Sequence, residues 1–265
     1  MSRLDLKAFM QMKQRGEKIT VLTAYDASFA QLFEQAGVEI LLVGDSLGMV
    51  IQGHDSTRPV SLDDMVYHCR AVALTSQCCY IMADMPYHTY LQPTQTVENA
   101  RRLVEQGGAQ MVKLEGGREQ LEVIEALVAA AIPVCGHLGL LPQSVTTPDG
   151  YKVQGRDAES AERILADAIL LEQAGVSMLL LECVPAELAK RISQRVAVPV
   201  IGIGAGVDCD AQVLVSYDML GISGGHKARF VHNFLRGNDS IEMAVQAYVQ
   251  AVKDGRYPAA EHTYQ

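Results

Sequence analysis

Lys113 and Glu115 stand two residues apart in the apolar run Gln110–Glu115, "QMVKLE", which is followed by Gly116 and Gly117. Side chains alternate between the faces of a strand, so the ammonium and the carboxylate share one face while Val112 and Leu114 share the other. A buried ion pair is rarely better for stability than packed apolar residues, so filling space is one reading of this pair. Four more polar residues end apolar runs in the same way: Asp45 after "EILLVG", Asp84 in "YIMADM", His137 in "PVCGH" and Glu182 in "MLLLE". One polar strand end says little, but several around one mouth make a site. Asp45, Asp84 and Glu115 offer hard oxygen donors, and three carboxylates held close repel unless some take protons or a divalent cation compensates them. With no cysteine and one histidine nearby, that cation is expected to be Mg²⁺ rather than zinc. Lys113 adds a fixed positive charge for an anionic substrate.

These residues need a scaffold that brings strand ends together. Short runs rich in Val, Ile, Leu and Met are expected as strands at Ile19–Tyr25, Glu39–Asp45, Cys79–Met85, Gln110–Glu115, Ile132–His137, Ser177–Cys183, Val198–Gly204 and Tyr217–Ile222. Helices are expected between them at Ala27–Ala36, Leu62–Ser76, Thr96–Gln106, Arg118–Ala130, Ala158–Ala174 and Ala186–Arg195, with Ser61 and Asp157 at capping positions. Strands apolar on both faces, alternating with helices, call for a parallel sheet, and eight units close naturally into a (β/α)8 barrel; the alternative is an open doubly wound sheet. A weak repeat favours the barrel. "EQAGVEILLVGDS" from Glu34, "EQGGAQMVKLEGG" from Glu105 and "EQAGVSMLLLECV" from Glu172 each end a helix at glycine, run a strand and place an acid seven or eight residues after the glycine. With helices outside the barrel, Lys113 and Glu115 face inward, and all these acids fall on the rim where such barrels carry their chemistry.

No linker divides the chain, so residues 1–265 read as one barrel domain with lid loops near 48–59 and 140–157. Further helix is expected from about 229 to 253, then a frayed tail, "YPAAEHTYQ". The chain has 265 residues, 49% hydrophobic and 20% charged, with a net charge of −9. No basic block alternates with aromatics, so nucleic acid and anionic membrane are poor partners. The apolar runs are too short to span a bilayer and the start lacks a secretory pattern, so a cytoplasmic location is expected. The six cysteines show no zinc spacing and read as reduced thiols.

The stretch "TAYDASFAQLFEQAGVEILLVGDSLGMVIQGHDSTRPVSLDDMVYHCRAV", with "ADMPY", "VKLEGG", "GHLGLLPQS" and "IGIGAG", resembles the ketopantoate hydroxymethyltransferase family over nearly the whole chain. The resemblance implies a (β/α)8 TIM barrel of the phosphoenolpyruvate/isocitrate lyase type and a Mg²⁺ cofactor. It implies transfer of a hydroxymethyl group from 5,10-methylenetetrahydrofolate to 3-methyl-2-oxobutanoate through a Mg-stabilised enolate, giving 2-dehydropantoate for pantothenate and coenzyme A synthesis. By match to the family's motifs, Asp45, Asp84 and Glu115 would hold the metal, and Asp45, Ser46, Asp84 and Lys113 would contact the oxo acid. His137 would line the site and Glu182 would accept the proton. A homo-oligomer, a decamer, is also implied.

The chemistry agrees. A divalent ion bound by a 2-oxo acid makes the C3 hydrogen removable, and a carboxylate in apolar surroundings is the stronger base; Leu179–Leu181 and Cys183 are expected to supply them for Glu182. Gly202–Gly206, "GIGAG", is either an anion cradle or a tight strand exit. His226, Lys227 and Arg229 could meet the glutamate tail of a folate or form a solvated patch. Two other functions stay open: a related Mg²⁺-dependent C–C lyase, and a catalytically silent barrel that binds an oxo acid. Against the second stands Glu182, an acid that the metal site does not need.

Overall fold

Residues 3–147, 151–224 and 227–265 are described by the computed structural model. Their apolar runs form eight strands: β1 (Ile19–Thr23), β2 (Ile40–Val43), β3 (Tyr80–Asp84), β4 (Met111–Glu115), β5 (Val134–Gly139), β6 (Met178–Glu182), β7 (Val200–Ile203) and β8 (Ala211–Leu214). Each pairs in parallel with the next, and β8 closes the barrel onto β1 with Val21 opposite Val213 and Leu22 opposite Leu214. The helices are α1 (Leu6–Gln14), α2 (Ala27–Gln35), α3 (Leu47–Val50), α4 (Leu62–Ala73), α5 (Pro93–Arg101), α6 (Leu121–Ala129), α7 (Ala158–Gln173), α8 (Ala186–Arg195), α9 (Ser216–Met219) and α10 (Ile241–Lys253). A capping box between Ser61 and Asp64 starts α4, and Asp157 caps α7 by accepting from the Ser160 amide. Past α5 the chain continues as a π-helical turn, Arg102–Gln106.

Strand alternation sorts the side chains into two layers. Leu22, Leu41, Ile81, Val112, Leu114 and Leu179 pack outward in the layer shared with the helices. Ile19, Val21, Tyr80, Met82, Met111 and Leu180 fill the interior together with Phe9 and Met12 of α1. Helix α1, which lies outside the expected elements, seals the N-terminal end of the barrel. Its Phe9 ring meets Tyr80 edge-on at 5.5 Å, and Lys13 Nζ donates to the Val198 carbonyl and to Asp210 Oδ2, just ahead of β7 and β8.

Three expectations need correction. The eighth strand is Ala211–Leu214, whereas Tyr217–Ile222 holds most of α9 and a turn. Gln212 disguises the strand by placing an amide in a short apolar run. It is 2% exposed, yet its Nε2 donates to the Gly206 carbonyl at 2.9 Å, so the buried polar group is satisfied. The C-terminal tail is anchored rather than frayed: Tyr257 Oη donates to the Phe230 carbonyl at 2.6 Å, and the Ala186 amide donates to the Tyr264 carbonyl at 3.0 Å. Of the helix expected from 229 to 253, only Ile241–Lys253 is helical. Among the described residues no helix is long and apolar enough to cross a membrane.

Candidate active site

At the C-terminal ends of the strands the inward positions change character. Met82 is followed two residues on by Asp84, Met111 by Lys113 and then Glu115, Cys135 by His137, and Leu180 by Glu182. Register sets Asp84 opposite Lys113 and Glu115 opposite His137 on neighbouring strands. Asp45 follows β2 on the same rim, so the residues expected to share a site are brought together. The side chains of Asp84, Lys113, Glu115 and His137 are at most 5% accessible, whereas Glu182, nearest solvent, is 15% accessible.

A continuous line of polar contacts crosses the mouth. Lys113 Nζ lies 3.0 Å from Asp84 Oδ1 and 3.2 Å from His137 Nδ1, and His137 Nε2 lies 3.3 Å from Glu182 Oε2. Burial, reinforced by the Lys113 charge, holds the imidazole well below the usual histidine range, so it is neutral. An ammonium can only donate, so Nδ1 accepts from Lys113 and Nε2 carries the hydrogen on the side of Glu182. Nε2 makes no aligned hydrogen bond. The 3.7 Å approach of Nδ1 to Glu115 Oε1 is therefore no ion pair.

The acids are electrostatically loaded. Burial, then the Asp84 charge, raises Asp45 to about 7 against the opposing pull of Lys113 and Gln143. Burial also lifts Glu115 well above the carboxylate range. Glu182 is pushed up to about 8 by burial, partly offset by Lys113, and its greater access to water tempers that shift. For Lys113 burial pulls downward, but Asp84, Glu115 and Asp45 more than compensate, so it stays charged. The apolar surroundings of Glu182 differ from those expected: Leu179 and Leu181 face the helix layer, and Leu180 alone of that run lies in the barrel interior. Cys183, next in the chain, holds a left-handed φ of 48°, uncommon for a side chain with a Cβ and found here beside a site residue.

Ser46 Oγ is hydrogen-bonded to Tyr25 Oη at 2.9 Å, and the Asp45 amide donates to Asp84 Oδ2 at 3.0 Å. A Cβ at Gly44 would lie 2.8 Å from Ser46 Oγ and 3.5 Å from Asp84 Oδ2, so glycine allows Ser46 to pack close against the backbone there. Sequence reasoning missed Gln143, which touches both Asp45 and Glu115. Its only signal was membership of the quoted "GHLGLLPQS". In the "GIGAG" loop Phe230 and Tyr264 crowd Gly204, whose φ of 61° also favours glycine. Arg229 donates to the Glu261 carbonyl, and His226 lies outside the described residues, as do residues 148–150 of the expected second lid.

Among the described residues no three His, Cys, Asp or Glu side chains are grouped as a ready metal cluster. Asp45 and Glu115 are each engaged by Gln143, and Asp84 by Lys113. The donor chemistry nevertheless suits a hard divalent cation. Buried carboxylates lifted above their usual range are groups that a 2+ charge would return to the ionised form.

The chain matches, over residues 3–260, the family described as ketopantoate hydroxymethyltransferase. It is 59% identical over 264 residues to the 3-methyl-2-oxobutanoate hydroxymethyltransferase of Nitrosococcus oceani, with 100% of each chain covered. Identity to the protein of that name from Erwinia tasmaniensis is 52% over 265 residues, again covering 100% of each. In fold it is similar to 2,3-dimethylmalate lyase, a member of the PEP mutase/isocitrate lyase superfamily, with a TM-score of 0.60 at 15% identity over 82% of this chain and 81% of that one. It is also similar to phosphonopyruvate hydrolase in complex with oxalate and Mg²⁺, with a TM-score of 0.62 at 16% identity over 99% and 93%. At such identities these two structures speak to the fold alone, an eight-stranded parallel barrel with helices outside, as expected.

Proposed function

The chain belongs to the ketopantoate hydroxymethyltransferase family, and from that premise we propose how its residues divide the family's reaction. That reaction transfers a hydroxymethyl group to 3-methyl-2-oxobutanoate in pantothenate synthesis. The one-carbon donor in this reading is 5,10-methylenetetrahydrofolate. Asp45, Asp84 and Glu115 would hold Mg²⁺, the ion that accompanies oxalate in the phosphonopyruvate hydrolase structure. When bound, Mg²⁺ supplies positive charge toward the carboxylate and keto oxygens of the oxo acid and so acidifies its C3 hydrogen.

Lys113 receives the substrate's negative charge, and Ser46, with Asp45 and Asp84, contacts the oxo acid in this reading. Glu182 takes the C3 proton onto a carboxylate oxygen. Its raised pKa makes it a stronger base than a solvated glutamate, and His137, being neutral, sets no positive charge beside the carboxylate to weaken that basicity. The loops around 48–59 and 140–157 serve as lids of a single barrel domain, residues 1–265, and limit water at the reacting carbon. The working molecule is taken to be a homo-oligomer, a decamer by family resemblance. Tyr67 of α4 and Leu74 just after it, both 70% exposed, offer apolar surface for a subunit contact.

The observation that carries this reading is the Glu182 carboxylate, raised to about 8 and 3.3 Å from a neutral imidazole across the mouth from the acids. With Mg²⁺ present and folate absent, the wild type should exchange the C3 proton of 3-methyl-2-oxobutanoate for deuterium from D₂O. Glu182→Gln should bind the oxo acid almost normally while exchange and turnover fall together by about a hundredfold or more. Undiminished exchange, followed by NMR at C3, would make another group the base, with His137 the next to test.

A further inference from the structure

Gln143, in the loop after β5, is 2% exposed and contacts the acids at the ends of two other strands. Its Nε2 donates to Asp45 Oδ2 at 2.8 Å and to the Met85 carbonyl at 3.0 Å, and its Oε1 accepts from Tyr90 Oη. Its backbone N–H donates to Glu115 Oε2 at 3.0 Å. One residue thus spans the acid after β2, the chain leaving β3 and the acid that ends β4.

The amide can occupy this position in one orientation only. Its nitrogen offers two hydrogens and its oxygen offers none. The Asp45 carboxylate, when ionised, and the Met85 carbonyl can only accept, so turning the amide over would set oxygen against oxygen at both. Tyr90 holds it the right way round: burial raises the phenol above its ordinary range, so it keeps the proton that it donates to Oε1.

We propose that Gln143, held in a single orientation by Tyr90, is a positioning residue that sets Asp45 and Glu115 relative to each other for ligand binding. It engages Asp45 Oδ2 and Glu115 Oε2 and leaves Asp45 Oδ1 and Glu115 Oε1 for the metal and the oxo acid. The inference rests on the reading of Asp45 and Glu115 as metal ligands. A residue that only pinned the loop would affect stability and leave affinity alone.

The test compares Gln143→Met, Tyr90→Phe and the double variant in the full chain, by thermal unfolding, by calorimetry of 3-methyl-2-oxobutanoate binding with Mg²⁺, and by KM and kcat. Loss of a hydrogen bond to a charged group should weaken oxo acid binding about tenfold or more in Gln143→Met and about threefold in Tyr90→Phe, with KM rising more than kcat falls. Because Tyr90 acts through Gln143, the double variant should be no weaker than Gln143→Met. Additive losses, or wild-type affinity in a Gln143→Met protein that merely unfolds sooner, would overturn the proposal. If Gln143→Met does not fold, unchanged affinity in Tyr90→Phe overturns it equally. Asp45→Asn separates the two levels. Normal binding there removes the metal-ligand premise and the inference with it, whereas lost binding there beside normal binding in Gln143→Met sinks the inference alone.

Discussion

The two ends of the barrel are built from the same strands and have opposite energetics. Along β4 the inward side chain is Met111 at the N-terminal end, then Lys113, then Glu115; along β6 it is Met178, Leu180 and then Glu182. At the first end apolar side chains meet Phe9 and Met12 of α1, and burial there stabilises the fold. At the other end burial lifts Asp45, Glu115 and Glu182 above their usual range, so folding holds carboxylates in a state that water would not favour. A step of two residues along a strand is enough to pass from one regime to the other. The packed end therefore sustains the charged end, and a change at either should be read out separately.

The comparison breaks most severely at α1. Phe9 is fully buried, and Phe9→Ala should cost about 3–5 kcal/mol of stability by opening a cavity under the barrel, measured by denaturant unfolding. Turnover per folded molecule should be unchanged; a parallel loss of C3 exchange would show that the ends are not independent. At the mouth, Lys113→Met keeps the apolar stem and deletes the charge. Oxo acid affinity should fall by about a hundredfold, while the stability change stays below that of Phe9→Ala because the neighbouring acids can take up protons. Calorimetry beside unfolding decides it: normal affinity with a large stability loss would turn Lys113 into a structural ion-pair partner.

The smallest expected effect sharpens the contrast through pH. Glu182 moves from 4.5 to about 8 on folding, so between those values the folded state binds more protons than the unfolded one. Metal-free protein should therefore lose stability as pH rises through that window, with Asp45 and Glu115, raised as well, adding to the fall. For one group the slope cannot exceed about 1.4 kcal/mol per pH unit, and access to water at the mouth reduces it. Glu182→Gln should reduce the slope by the share of one group, whereas a conservative change at Phe9 should shift the whole curve without altering its shape. An unchanged slope in Glu182→Gln would mean that its carboxyl is not raised.

Much of the mouth was legible because its signal is local. Asp84, Lys113, Glu115, His137 and Glu182 each end an apolar run, and alternation alone sets which of them share a face. Two structural elements were not legible. In β8 the buried Gln212 looks misplaced until the Gly206 carbonyl is beside it, and that contact exists only in the closed barrel. Helix α1 has Phe9 and Met12 on one face, but so short a segment is decided by docking rather than by its own propensity. Gln143 lay in a loop without period, and its partners come from segments 28 to 98 residues away in the chain.

By itself, then, the sequence determined the first seven strands, the faces of their side chains, the helix caps and the set of acids at the strand ends, since all of these follow from backbone geometry within a few residues. Its motifs also carried the family. Only the tertiary structure decided which acid stands beside Lys113, that His137 is neutral with Nε2–H toward Glu182, and that one amide joins Asp45 to Glu115. Those properties depend on desolvation and on distances of about 3 Å between groups far apart in the chain, and both arise only when neighbouring strands pair in the closed barrel.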